Sequence, residues 1–204
     1  MWRSDDVCRP NTGFFQNVGT TRRRGLELGA SGSAGRLSLG ASYAYIDARF
    51  RSAFTEHSPN NSAADANGDI QVGPGDRIPG IPRNIFKLRA AWRAADAVDL
   101  SAGMIAAGSQ LARGNENNQD ARGRAPGYAV FDFDARWRFA RGWELFAEVD
   151  NLFNTKYETL GILGRNFFNG PGRTFDANAA ASELFLSPGA PFGAWLGVRY
   201  TLGT

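Results

Sequence analysis

The strongest constraint on the fold lies between Tyr128 and Phe139. Apolar and polar side chains alternate there without a break. Ala129, Phe131, Phe133, Ala135, Trp137 and Phe139 share one phase; Tyr128, Val130, Asp132, Asp134, Arg136 and Arg138 share the other. A period of two belongs to a β-strand, whose successive side chains point to opposite faces. One face is wholly apolar and the other is charged. Strands in soluble sheets average about five or six residues, so a run of this length argues against a water-soluble sandwich.

Shorter copies of the pattern run along the chain. Leu26, Leu28 and Ala30 alternate with Glu27, Gly29 and Ser31. Leu37 to Tyr45, Phe86 to Arg93, Val98 to Ala107, Glu144 to Asp150 and Ala194 to Leu202 behave alike. Seven strands are predicted. Their connections alternate in length. Ser33-Ala34-Gly35, Ala94 to Ala97 and Ala140-Arg141-Gly142 are tight turns, whereas residues 51–82, 113–126 and 158–190 form long or medium polar loops. Short periplasmic turns and long extracellular loops mark an outer-membrane β-barrel. On that pattern the chain ends after a descending strand, with its C-terminus in the periplasm. Trp92, Trp137, Trp143, Tyr43, Tyr45 and Tyr200 lie on the apolar phase or at strand ends, as interfacial aromatic girdles do. No apolar stretch reaches the roughly 20 residues of a spanning helix. The mean hydropathy of -0.34 fits a barrel, because alternation hides apolar strands from the average.

Seven strands do not close a barrel. An unpaired strand edge in lipid costs several kcal/mol per bare backbone group, and single-chain bacterial barrels have an even count of about eight or more. The sequence therefore reads as the C-terminal segment of about seven strands of a larger barrel. Residues 1–13, with Cys8-Arg9-Pro10-Asn11, make a poor lipid-facing strand and read as the tail of a loop; residues 14–25 read as the descent from it. Met1 to Asp6 shows no secretory signal, which points to a piece of a longer product.

Charge and motif content exclude several functions. A net charge of +3, from 23 basic and 20 acidic residues spread along the chain, does not suit nucleic acid. Cys8 is the single cysteine, so no internal disulfide can form, and with the single histidine His57 it cannot build a zinc site. His57 sits in a Ser/Asn-rich loop with no evident orienting partner, so no hydrolase is expected. Asp132, Asp134, Glu148 and Asp150 share the inward phase and are expected to pair with Arg136, Arg138, Lys87 and Arg89 across a wet lumen. Asp65-Ala66-Asn67-Gly68-Asp69 starts like a calcium loop, but its glycine is misplaced and no glutamate follows at the required distance. A solvated loop, no catalytic set and no cofactor are expected.

Ligand chemistry is expected in the loops. Residues 113–126 and 158–190 hold Arg113, Asn117, Asn118, Arg122, Arg124, Arg165, Phe167, Phe168 and Arg173. Arginines with exposed aromatics suit an anionic, partly aromatic ligand such as a ferric chelate. They suit the phosphates of outer-leaflet lipopolysaccharide equally. Arg113, Asn117, Asn118, Arg165, Phe167 and Phe168 are the candidate ligand-binding residues.

Four stretches resemble TonB-dependent receptors of the iron-chelate class. They are Asn17-Val18-Gly19 leading to Arg24-Gly25-Leu26-Glu27, then Tyr43-Ala44-Tyr45-Ile46-Asp47-Ala48, then Ile78-Pro79-Gly80-Ile81-Pro82-Arg83-Asn84, and Val149-Asp150-Asn151-Leu152-Phe153-Asn154-Thr155-Lys156-Tyr157. They occur in the family's order and span nearly the whole chain. The resemblance implies a barrel of about 22 strands around an N-terminal plug, with the inner-membrane TonB complex supplying energy through an upstream box. It implies uptake of a ferric siderophore or similar scarce nutrient. The end departs from the family, which closes on an aromatic residue; here Thr201-Leu202-Gly203-Thr204 follow Tyr200. A passive porin-like channel and a small eight-stranded surface-binding barrel are the competing readings; an enzyme comes last.

Overall fold

The computed structural model describes residues 18–202. Cys8, the possible strand or loop tail in residues 1–13, the descent through residues 14–17 and the last two residues lie outside them. Among the described residues thirteen strands follow one another: β1 (Thr21–Ala34), β2 (Leu37–Phe50), β3 (Phe54–His57), β4 (Asp69–Val72), β5 (Asn84–Ala95), β6 (Val98–Ala107), β7 (Gln110–Leu111), β8 (Arg124–Ala125), β9 (Tyr128–Ala140), β10 (Trp143–Asp150), β11 (Glu158–Asn166), β12 (Ala181–Pro188) and β13 (Gly193–Tyr200). Seven of them form one antiparallel sheet in the order β1-β2-β5-β6-β9-β10-β13. These are the seven predicted strands, joined as nearest neighbours.

Register puts each predicted apolar phase on one face. Leu28 pairs with Tyr43, Tyr43 with Phe86, and Phe86 with Ala106. Ala102 pairs with Phe133, Phe133 with Val149, and Val149 with Ala194. This face leaves Leu26, Leu28, Leu39, Trp92, Leu196 and Val198 about half or more exposed. A continuous apolar face of this extent belongs in lipid. On β9 it runs from Ala129 to Phe139, about 34 Å of strand and so about 25 Å of height at the usual barrel tilt. Trp137, Phe139, Trp143 and Tyr200 form a ladder along its rim at the tight-turn end, with ring centroids 5.6, 6.2 and 4.7 Å apart. At the opposite rim the Tyr43 hydroxyl donates to Asn84 Oδ1 at 2.7 Å, and Arg83 donates to the Tyr45 hydroxyl at 2.6 Å. Aromatic residues thus stand at both rims of the apolar face.

The tight connections are narrower than expected, two residues each: Gly35-Arg36, Asp96-Ala97 and Arg141-Gly142. Gly35 and Gly142 have φ of 57° and 77°, which suits the twist of a hairpin and strains any residue with a Cβ. Two expectations are corrected. First, the loops carry structure of their own: β3 pairs with β4, β7 with β8, and β11 with β12. Second, among the described residues Asp132, Asp134, Glu148 and Asp150 form no ion pair with Arg136, Arg138, Lys87 or Arg89. Asp134 accepts a bond from the Ser101 hydroxyl at 2.9 Å, and Asp132 accepts one from the Asn151 N–H at 2.9 Å. Arg138 and Arg93 turn to Asp99 instead, at 2.7 and 3.7 Å, and Arg199 reaches Glu144 at 3.4 Å.

Asn151 shows what the Val149–Tyr157 stretch does. It is buried, in the left-handed conformation with φ of 48°. Its side chain donates to the carbonyls of Thr155 and Ala190 and accepts from the Thr155 N–H. The bend that carries the chain out of β10 is thereby tied to the approach to β13. Asn151→Ala removes all three bonds and is expected to cost about 2 kcal/mol, read as a shift of the denaturation midpoint.

Candidate ligand-capture surface

The loop end of the sheet is one joined body. Phe50, Ile70 and Val72 form a small core, packed by Val18, Phe54, Ala64 and Ile78. Beside it lies a buried polar junction. Asn61 donates to the Gly114 carbonyl and to Asn117 Oδ1, at 2.8 and 3.0 Å. The Ser58 hydroxyl donates to the same Gly114 carbonyl at 2.8 Å. Asn115, fully buried, donates to the carbonyls of Asp120 and Gly123 and accepts from the Asp120 N–H. Asp120 accepts the N–H of Ser62 at 2.7 Å. Arg122 donates to the Ser182 carbonyl on β12 at 2.8 Å, and the Ser182 hydroxyl donates to Asn60 Oδ1 at 3.1 Å. Segments from all three loops therefore interlock through satisfied buried groups, which is what makes a polar junction stable and specific.

This junction relocates two candidate residues. Asn117 is buried against Asn61. Asn118, with φ of 60°, donates to the Arg77 carbonyl at 3.0 Å and accepts the Arg77 N–H at 2.8 Å, pairing like a strand residue. Both hold loops together. Arg113 is anchored by its backbone, whose N–H donates to Gly161 O and whose carbonyl accepts from Leu163; its side chain stays exposed.

Arg165, Phe167 and Phe168 come together at the far end of the β11–β12 hairpin, and Phe175 joins them. The Arg165 guanidinium lies 5.5 Å from the centre of the Phe167 ring. Phe167 stacks on Phe175 at 6.0 Å, and Phe168 meets Phe175 edge-on at 6.0 Å. Phe168 is 59% exposed and Phe175 63% exposed, so the rings cluster without being covered. Asn166 and Asn169 build the supporting turn: Asn166 accepts the Phe168 N–H, and Asn169 donates to the Asn166 and Ala179 carbonyls. The turn Pro171–Arg173 reverses the chain and brings Phe175 back. Phe175 was not among the expected residues; only its aromatic character in a loop hinted at it. An open aromatic surface beside a guanidinium can stack a planar ring and pair an anion at once.

The acidic stretches have other roles. Asp65 Oδ1 accepts the N–H groups of Asn67 and Asp69, closing the turn between β3 and β4. The calcium-loop resemblance is thus a self-satisfied turn; among the described residues no three metal-ligating side chains cluster. His57, expected without an orienting partner, has one: its Nδ1 lies 2.9 Å from Asp69 Oδ1. Ser58 next to it is engaged with Gly114. Burial alone would raise the Asp120 carboxyl, but the Ser62 N–H and the guanidinium and N–H of Arg122 bring it down to about 2.

Glu56 is different. It lies on the same phase of β3 as Phe54, opposite Ile70 and facing the buried side. Burial, and then repulsion from Glu116, push its carboxyl up to about 7. Glu116 is itself raised by burial, with its Oε2 unpartnered. Below the ordinary value of 4.5 Glu56 is protonated folded or unfolded. Between 4.5 and about 7 the unfolded chain releases the proton and the folded chain keeps it, so stability falls as pH rises through that window. Glu56→Gln is expected to flatten this fall, raising stability at pH 8 and leaving pH 4 unchanged in melting curves.

An antiparallel sheet with one apolar and one charged face, two-residue turns at one end and hairpins at the other is a section of membrane-barrel wall. The chain belongs to the family described as TonB dependent receptor-like, beta-barrel, whose model matches residues 3–152. This is the family anticipated from the four motifs, one of outer-membrane transporters and not of enzymes. The chain is 26% identical over 154 residues to the metal-pseudopaline receptor CntO of Pseudomonas aeruginosa, a match over 72% of this chain and 19% of that protein. It superposes on the siderophore receptor PiuA of Acinetobacter baumannii with a TM-score of 0.64 at 16% identity, over 88% of this chain and 22% of that one. The ferric preacinetobactin receptor BauA of the same species gives 0.56 at 22% identity, over 88% and 22%. The chain spans about a fifth of the length of these relatives.

Proposed function

We propose that this chain supplies a wall segment and a ligand-capturing hairpin to an outer-membrane receptor that takes up a metal chelate, in the first place a ferric siderophore. The observation that carries this reading is the open cluster of Arg165, Phe167, Phe168 and Phe175. Ferric catecholate siderophores are anionic and aromatic, and the cluster offers both a charge and stacking faces. CntO, PiuA and BauA, whose names specify metal-chelate or siderophore receptors, support the same class. Transport against a gradient requires energy, which the inner-membrane TonB complex supplies, with a plug domain occupying the lumen. The two-residue turns and the C-terminus face the periplasm, and the hairpin faces the medium.

Two measurements test this. A cysteine replacing Ala177 is expected to react with an impermeant maleimide on intact cells, and one replacing Arg141 only after lysis; the opposite pattern would invert the topology. Iron-starved cells carrying the receptor should accumulate a radiolabelled ferric tricatecholate only while the TonB complex is intact. Uptake that persists without that complex would make the protein a passive channel.

A further inference from the structure

At the loop end of β1 and β2 the outward phase changes abruptly from apolar to basic. Leu28 pairs with Tyr43 and Leu26 with Tyr45 on the lipid-facing side; the next rung is Arg24 with Asp47, and the one above it Arg22 with Arg49. Arg49 in turn bridges to Arg77 on the segment leading down to β5. Arg22, Arg49 and Arg77 thus stand side by side across three neighbouring segments. Paired residues share a face, so all three belong to the outward face. Arg83 joins them below, with its guanidinium 5.4 Å from the Tyr45 ring.

The charge of this cluster is not balanced. Asp47, its side chain 3% exposed, is reached by Arg24, Arg49 and Arg83 at 3.2, 2.7 and 3.9 Å. Three guanidiniums therefore share one carboxylate, and Arg22 and Arg77 add two more positive charges on the rung beyond it. Among the described residues neither Arg22 nor Arg77 makes an ion pair, and Arg22 Nε is buried without a hydrogen-bond partner. Burial, and then the guanidiniums of Arg83, Arg124 and Arg49, depress the pKa of Arg77. Like charges on directly opposed strand positions destabilise a sheet, so a row of three arginines calls for an anion. From Leu26 to Arg22 is about 10 Å of height at the usual tilt, which sets the row at headgroup level above the apolar band.

Resting on the outer-membrane reading above, we infer that Arg22, Arg49 and Arg77, with Arg24 and Arg83, bind the phosphate groups of a phosphorylated glycolipid of the outer leaflet. Guanidiniums take phosphate oxygens through paired N–H donors. The outward phase and the apolar strip directly beneath favour an anion carried by a lipid over one free in solution, since acyl chains can lie along Leu26, Leu28 and Tyr43 while the phosphates meet the arginines.

The test uses the protein extracted from outer membranes, exchanged into phosphatidylcholine nanodiscs and titrated with bisphosphorylated lipid A, with bound lipid read by native mass spectrometry. Arg22→Gln with Arg77→Gln leaves the ion pairs of Asp47 intact and is expected to weaken lipid A binding about tenfold. The corresponding lysine pair should stay within about threefold, because the charge remains. Heat-modifiable gel migration and ferric-chelate uptake, both unchanged in the glutamine pair, show that the barrel stands. Retention of lipid A by that pair, or equal binding of dephosphorylated lipid A, would overturn the inference. Displacement of lipid A by millimolar inorganic phosphate would overturn the lipid as the source. Absence of the unsubstituted protein from outer membranes would instead sink the reading on which the inference rests.

Discussion

Replacing Phe133 by arginine is expected to destabilise the membrane-inserted state by about 2–4 kcal/mol. Phe133 stands mid-height on the lipid-facing phase of β9, between Ala102 on β6 and Val149 on β10. An arginine there must bring its guanidinium into hydrocarbon or bend along the strand toward an interface, and both are costly. Asp134→Arg, one residue on, reverses a charge on the opposite face and loses only the bond from Ser101; it is expected to cost well under half as much. Denaturant titrations of the protein in lipid vesicles measure both. Equal costs for the two substitutions would mean that the apolar face is not in lipid.

Removing Phe168 and Phe175 together is expected to weaken ferric-chelate binding by about 10- to 100-fold, since stacking on each exposed ring contributes about 1 kcal/mol and the remaining Phe167 loses its stacked partner. Fluorescence quenching by a ferric tricatecholate gives the affinity. Stability should barely change, because both rings are more than half exposed. Unchanged affinity would place ligand capture elsewhere among the loops. Arg165→Gln separates charge from stacking: it should weaken binding of the anionic chelate and become less damaging as salt is raised.

The sheet was legible because lipid demands an unbroken alternation. The alternation from Val98 to Ala107 coincides with β6, which a tight turn bounds at one end and Gly108 at the other. β1 and β2 extend beyond their apolar alternation at the loop ends, since Arg22, Arg24, Asp47 and Arg49 lie on the outward phase and interrupt the pattern. The loop hairpins were invisible for a related reason. Glu158 to Asn166 shows no clean alternation, and that strand packs against other loops through Gly161 and Leu163. The asparagines of residues 113–126 read as solvated, yet Asn117 meets Asn61 at a separation of 56 residues and Asn118 meets Arg77 at 41. Local sequence carries no trace of such partners. Arg165, Phe167 and Phe168 were identified from residue type alone; Phe175 joins them only through the turn at Pro171–Arg173.

The interlocked loops divide the hairpin into a fixed stem and a self-contained head. Among the described residues, the hydrogen bonds of residues 167–179 stay within the head and its Asn166 support, whereas Arg113, Arg122 and Ser182 rivet the stem to its neighbours. A head that rests on itself can be exchanged as a cassette. On the proposed receptor function, substitutions or grafts between Phe167 and Ala179 would retune which ligand is held while the barrel wall and the other loops remain untouched, so the head could diversify at little risk to assembly.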